Sequence, residues 1–94
     1  MVKVFSEGYG EKIYVKILGH ASDRRVCAGV SALFYAAVAE FRAQGRLIES
    51  RAIPGESYFS LRRYGGYDGA FEMFRKGIEC LESEFPKMVS GRFL

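Results

Sequence analysis

The sequence predicts an α+β domain in which two helices cover an antiparallel sheet of about four strands, in the order β-β-α-β-β-α with a further short strand at the C-terminal end. Three observations carry this. Ile13, Val15 and Ile17 alternate with Tyr14 and Lys16, the period of two of a strand with one apolar face. The stretch VCAGVSALFYAAVAEFRA, Val26 to about Ala43, is Ala-rich and free of Pro, as a helix requires. Finally, Ala70, Phe71, Phe74, Ile78, Leu81 and Phe85 recur every three or four residues until Pro86, which marks an amphipathic helix and its end.

In chain order, Val2 to Phe5 and IYVKIL form a first hairpin around the turn-rich EGYGE. The helix from Val26 has apolar residues almost all round, so burial on every side is expected. Ser22 and Asp23 stand just ahead of it, with short side-chain oxygens suited to accept the free N–H groups of the first turn. Gly45 closes the helix. RLIESRAI then alternates as a strand up to Pro54-Gly55, a turn signal, and YFSLRR completes a second hairpin. Gly65 and Gly66 form a hinge before the second helix, and KMVS supplies the last strand.

The chain has 94 residues, 49% of them hydrophobic and 27% charged. That is sufficient for one core and too short for two, so residues 1–94 are read as a single domain. No run approaches the roughly 18 unbroken apolar residues of a membrane span. The start, MVKVFSEGYG, lacks the basic-then-apolar pattern of a signal peptide, and a cytoplasmic location with no membrane partner is expected. A net charge of +3 is spread among eleven acidic residues rather than gathered in a tract. The open sheet face and apolar helix surface favour a homodimer.

Two cysteines are too few for a disulfide framework, and each is weighed alone. Cys80 neighbours acidic residues that oppose thiolate formation, and is read as structural. Cys27 falls in the first turn of the Ala-rich helix, where the positive end of the helix dipole favours a thiolate. His20, the single histidine, stands only a short turn upstream. An imidazole near such a thiol is the pattern of a Cys-His nucleophile, with backbone N–H groups around Cys27 available for an oxyanion. Asp23 lies between the two, placed either to orient the imidazole or to cap the helix. Three Cys and His side chains fall short of the four ligands of a structural zinc site, so neither metal nor other cofactor is expected. Tyr58, Phe59, Tyr64 and Tyr67, near the glycines, are candidates for an apolar substrate groove, and Arg24 for a substrate contact, against the plainer reading of a solvated turn.

Gly19-His20-Ala21, followed by Cys27-Ala28-Gly29-Val30-Ser31, resembles the paired Gly-His-Ala and Cys-Ala-x-x-Ser signature of the Prp family of ribosomal-processing cysteine proteases. Length, element order and the amphipathic C-terminal helix with an acidic end are similar too. The resemblance implies a cysteine endopeptidase that removes a short N-terminal extension from a ribosomal protein precursor or a phage capsid precursor. His20 and Cys27 would then be the catalytic dyad, Gly19 the glycine preceding it and Ser31 a helix serine one turn beyond the cysteine. The partner implied is a protein substrate, with nucleic acid met only through the ribosome. One departure is the segment between histidine and cysteine, short and charged here and longer with glycine in many family members. The rival reading is a noncatalytic ribosome- or RNA-associated binding protein with Cys27 packed inside.

Overall fold

In the computed structural model, which describes residues 1–93, most aliphatic residues of the first two strands lie on one side of the sheet. Strand β1 (Val2–Tyr9) pairs antiparallel with β2 (Lys12–Leu18). Val2, Val4, Val15 and Ile17 are buried, while Lys3, Tyr14 and Lys16 point to the opposite face. β1 runs four residues further than the sequence suggested and β2 starts one residue earlier, at Lys12, because Glu7, Gly8 and Tyr9 continue the ladder up to a two-residue turn.

Helix α1 (Arg24–Ala43) begins at Asp23, whose carboxylate accepts the Arg25 backbone N–H at 2.8 Å. It ends in a Schellman motif, with the Gly45 N–H donating to the Arg42 carbonyl and the Arg46 N–H to the Phe41 carbonyl. β3 (Leu47–Ile53) and β4 (Glu56–Arg62) form the second hairpin, and β4 docks antiparallel on β2. Helix α2 (Gly69–Glu84) is capped by Asp68, and β5 (Val89–Phe93) follows.

The strand order is β3-β4-β2-β1-β5. Both expected hairpins and both helices are present, and the closing strand is a full partner in a five-stranded sheet. It runs parallel to β1, Val2 facing Val89 and Ser6 facing Phe93, so the sheet is mixed rather than purely antiparallel. The cause is α2, which carries the chain back along the sheet before β5 begins, as crossovers between parallel strands do.

Both helices pack on the same sheet face. Phe59 is the centre of the core, its ring 5.8 Å from Phe34, 5.9 Å from Phe41 and 5.4 Å from Phe74. Burial of α1 is one-sided, contrary to the expectation from composition. Val26, Val30, Phe34, Ala37, Val38 and Phe41 are buried, and Ala28, Ala32, Tyr35, Ala36 and Ala39 face outward. Alanine reads as apolar in composition yet loses little by facing water, so an Ala-rich helix does not need cover on every side. By length and mean hydropathy α1 would be able to cross a membrane; here its buried stripe covers the sheet. Cys80 is exposed on α2, outside the core, because the buried stripe of that helix runs through Phe74 and Ile78.

Beyond the C-terminal end of α1, Arg46 is buried and tied from several sides. Its Nε donates to the Arg62 carbonyl, its terminal nitrogens reach Gln44 and the Asp68 carboxylate, and its guanidinium lies over Tyr64 at 4.0 Å and Phe41 at 5.1 Å. Asp68 also accepts the Phe71 N–H, so one carboxylate starts α2 and neutralises the buried cation.

Candidate functional site

At the opposite end of α1, where β2 gives way to the helix, lies a cleft of about 330 Å³. His20 and Cys27 both line it, together with Gly19, Ser31, Phe34 and Tyr35 on one side and Ile53, Pro54 and Gly55 of the β3–β4 turn on another. The cleft is therefore bounded by α1, by the end of β2 and by the tip of the second hairpin.

His20 is exposed, in the segment joining β2 to α1. The backbone holds it on both sides. The Met1 nitrogen donates to the His20 carbonyl at 2.9 Å, and the Gly19 N–H donates to the Gly55 carbonyl at 2.9 Å. Gly19 has a φ of +93°, and a side chain there would strike the Met1 carbonyl. Glycine is required at that corner on both counts. Pro54 and Gly55 (φ +79°) have the residue order of a type II turn. This turn brings Gly55 against the imidazole: a Cβ there would sit 2.8 Å from His20 Nε2.

Cys27 is the fourth residue of α1, half-buried at the cleft wall. Its thiol donates to the Ala21 carbonyl across 3.5 Å. No hydrogen bond joins thiol and imidazole among the described residues; the two share the cleft, and the thiol is anchored beside the residue that follows His20. Rotation about the Cα–Cβ bond of Cys27 would release it from Ala21.

Asp23 settles as the helix cap. Besides the Arg25 N–H, its carboxylate takes the Arg25 guanidinium, the closest pair at 2.6 Å. These hydrogen bonds hold its carboxyl below the usual range, and among the described residues no hydrogen bond joins it to His20. The backbone donors expected for an oxyanion are committed too: the N–H groups of Val26 and Cys27 go to the Asp23 carbonyl, and that of Arg25 to its side chain. Ser31, one turn beyond Cys27, is exposed and lines the cleft, so its hydroxyl is a side-chain donor on that wall, as is the phenol of Tyr35 one turn further.

Arg24 and the four aromatics read as substrate contacts lie outside this cleft, Phe59 because it is buried at the centre of the core. Arg24 is exposed at the start of the helix. Tyr58 lies on the helix-free sheet face, stacked on Tyr14 at 5.5 Å, because it alternates with the inward-facing Phe59 along β4. Tyr64 and Tyr67 come after β4 has run the length of the sheet away from the Gly55 turn, and Tyr64 stacks under Arg46. The apolar walls come instead from Ile17, Val30, Phe34, Tyr35, Ile53 and Pro54. Part of this was signalled: Cys27, Ser31 and Tyr35 are spaced at four residues and so share a helix face. The contribution of Gly55 had no local signal, since the register pairing Leu18 with Glu56 is what delivers it.

No protein-family model matches the sequence, and no curated protein matches it. Among solved structures, the chain is similar to the essential ribosomal processing protease Prp from S. aureus, determined in complex with a covalently linked product peptide. The TM-score is 0.76, with all of both chains covered, at 20% sequence identity. A likeness at that identity establishes the fold, which is the one the sequence resemblance implied.

Proposed function

We propose that this chain is a cysteine endopeptidase with Cys27 as nucleophile and His20 as general acid and base, cutting a short N-terminal extension from a ribosomal protein precursor. The observation that carries the proposal is the meeting of His20 and Cys27 in one cleft, on a fold shared with a ribosomal processing protease. The product peptide bound covalently in that neighbour accords with an acyl-enzyme type of chemistry here.

The steps follow from the atoms present. The Cys27 thiol turns from Ala21 toward the ring, and a neutral nitrogen of His20 takes its proton. The sulfur then attacks the peptide carbonyl, and negative charge moves to the carbonyl oxygen. The Ser31 hydroxyl is the donor proposed for that oxygen, since the N–H groups of Arg25, Val26 and Cys27 are engaged. As the C–N bond breaks, His20 returns its proton to the leaving amine, leaving a thioester. Water, deprotonated by His20, attacks the thioester carbonyl and releases the acid and the Cys27 thiol. The apolar walls suit aliphatic or aromatic side chains on the substrate. A reducing cytoplasm would keep both cysteines as the free thiols seen here.

The test is cleavage of fluorogenic peptides that copy the N-termini of ribosomal and capsid precursors, by wild type, Cys27→Ala and His20→Ala. Cleavage by wild type and loss by at least about 10³-fold in both variants is expected for a nucleophile and its base. Cleavage that persists in Cys27→Ala sinks the proposal. So does a chain that cuts no peptide and whose Cys27 reacts with iodoacetamide no faster than a simple thiol.

A further inference from the structure

The sheet face turned away from the helices carries a row of side chains that crosses all five strands. Arg51 on β3 pairs with Tyr58 on β4, Tyr58 with Lys16 on β2, Lys16 with Phe5 on β1, and Phe5 with Arg92 on β5. Cation and aromatic thus alternate, Arg-Tyr-Lys-Phe-Arg, at the inter-strand spacing of about 4.8 Å, over roughly 19 Å. Arg51 and Arg92 are exposed, and Phe5, Lys16 and Tyr58 are half-buried beside one another. Tyr14 extends the platform by stacking on Tyr58 at 5.5 Å and 24°. No residue of the row lines the cleft of His20 and Cys27.

We propose that this face binds single-stranded nucleic acid, the aromatic rings taking bases and the intervening cations taking phosphates. A sheet face whose aromatics are flanked by Arg and Lys offers what a single strand requires: ring faces for stacking, and positive charge along the backbone path. Charge decides among occupants. Beyond the row, Lys3, Lys12 and Arg62 lie on the same face against Glu7, Glu49 and Glu56, so cations predominate by six to three. Lys16 and Glu56 pair with each other at 3.5 Å, which leaves five cations against two carboxylates. A second copy laid on this face would bring Arg51, Lys16 and Arg92 against a surface of the same sign, whereas a polyanion relieves that charge. An acidic protein would use the cations and leave the alternating rings without a stacking partner. The inference stands whether or not the cleft is a protease site.

The experiment is fluorescence anisotropy of labelled oligouridine, about twelve nucleotides long to cover the row. It is run on the full chain, on the double variant Arg51→Glu/Arg92→Glu and on Tyr58→Ala, with thermal unfolding as the check on folding; Arg51 and Arg92 are exposed, so their reversal leaves the core intact. Wild type should bind with log affinity falling against log salt at a slope of about −2, from three phosphate contacts. The charge reversal should abolish binding, and Tyr58→Ala should weaken it by about 5- to 150-fold. Polyglutamate, as an acidic-protein probe, should bind far more weakly and not respond to Tyr58→Ala. The inference is overturned by absence of binding at low salt, or by affinity unchanged in a folded charge-reversal variant. Polyglutamate binding as tight as RNA overturns it too, as does sedimentation showing a dimer that Arg51→Glu/Arg92→Glu dissolves.

Discussion

Replacing Gly55 by alanine separates the stability of the β3–β4 turn from the placement of His20. Two effects arise from one methyl group. The first is conformational: at φ +79° an L-residue is strained by about 1–2 kcal/mol. The second is steric, because the new Cβ would lie 2.8 Å from His20 Nε2. Heavy atoms in comfortable contact stay about 3.5–4.0 Å apart, so the ring must move by about 1 Å. His20 is exposed and free to swing outward, so the strain is relieved by moving the ring away from the position that the cleft gives it. A displacement of about 1 Å in a reacting group can lower a rate by about 10²-fold. Gly10 is the matched control: it also has positive φ, +59°, in the other hairpin, with nothing within 4 Å of its added Cβ. Both variants should therefore lose about 1–2 kcal/mol in urea unfolding. Only Gly55→Ala should lower kcat for peptide cleavage and the alkylation rate of Cys27. Wild-type kcat in Gly55→Ala, with a stability loss equal to that of Gly10→Ala, would refute the claim that this turn positions the imidazole.

Two further outcomes follow from the ion pairs. Arg46→Ala leaves Asp68 partly buried without its cation and removes the cover of Phe41 and Tyr64, so a loss of about 3–5 kcal/mol in chemical denaturation is expected; a loss under about 1 kcal/mol would contradict the reading of Arg46 as a buried hub. Asp23 has its carboxyl lowered by the hydrogen bonds from Arg25, so its folded-state value lies beneath the unfolded one. Its contribution to stability is therefore complete above the ordinary carboxylate range, near pH 4, and is lost as pH falls through the folded value. Asp23→Asn, which keeps a capping oxygen but cannot titrate, should lose less stability than wild type on acidification below about pH 4. Parallel acid profiles of the two proteins would show that the pair with Arg25 does not stabilise the start of α1.

The parts of this fold legible from sequence are those that depend on neighbours along the chain. The alternation of Ile13, Val15 and Ile17 did set which face of β2 meets the core, and Pro54-Gly55 did mark a turn. The short oxygens before Val26 did mark the start of α1, within the first turn of which Cys27 then falls. What escaped depends on partners brought from a distance. Nothing local to KMVS says that β5 lies parallel beside β1, and nothing near His20 announces a glycine from another hairpin. The position of Tyr58 outside the cleft has a simpler cause. Tyr58 and Phe59 are adjacent on a strand and must face opposite sides, so the burial of Phe59 alone sends Tyr58 to the helix-free face.

The parallel pairing of β1 with β5 also bears on how the molecule reaches its native state. Once made, β1 has β2 on one side at once, but its other side stays unpaired until β5 has been made. A contact between such distant segments carries a large loop-closure cost and places the fold among those that form slowly. The Val2 N–H bonded to the Met88 carbonyl closes the same seam, and the Met1 nitrogen beside it holds the His20 carbonyl. The histidine loop is thus anchored to the seam that forms last, so a nascent chain lacking β5 would display an open strand edge before it displays a finished cleft.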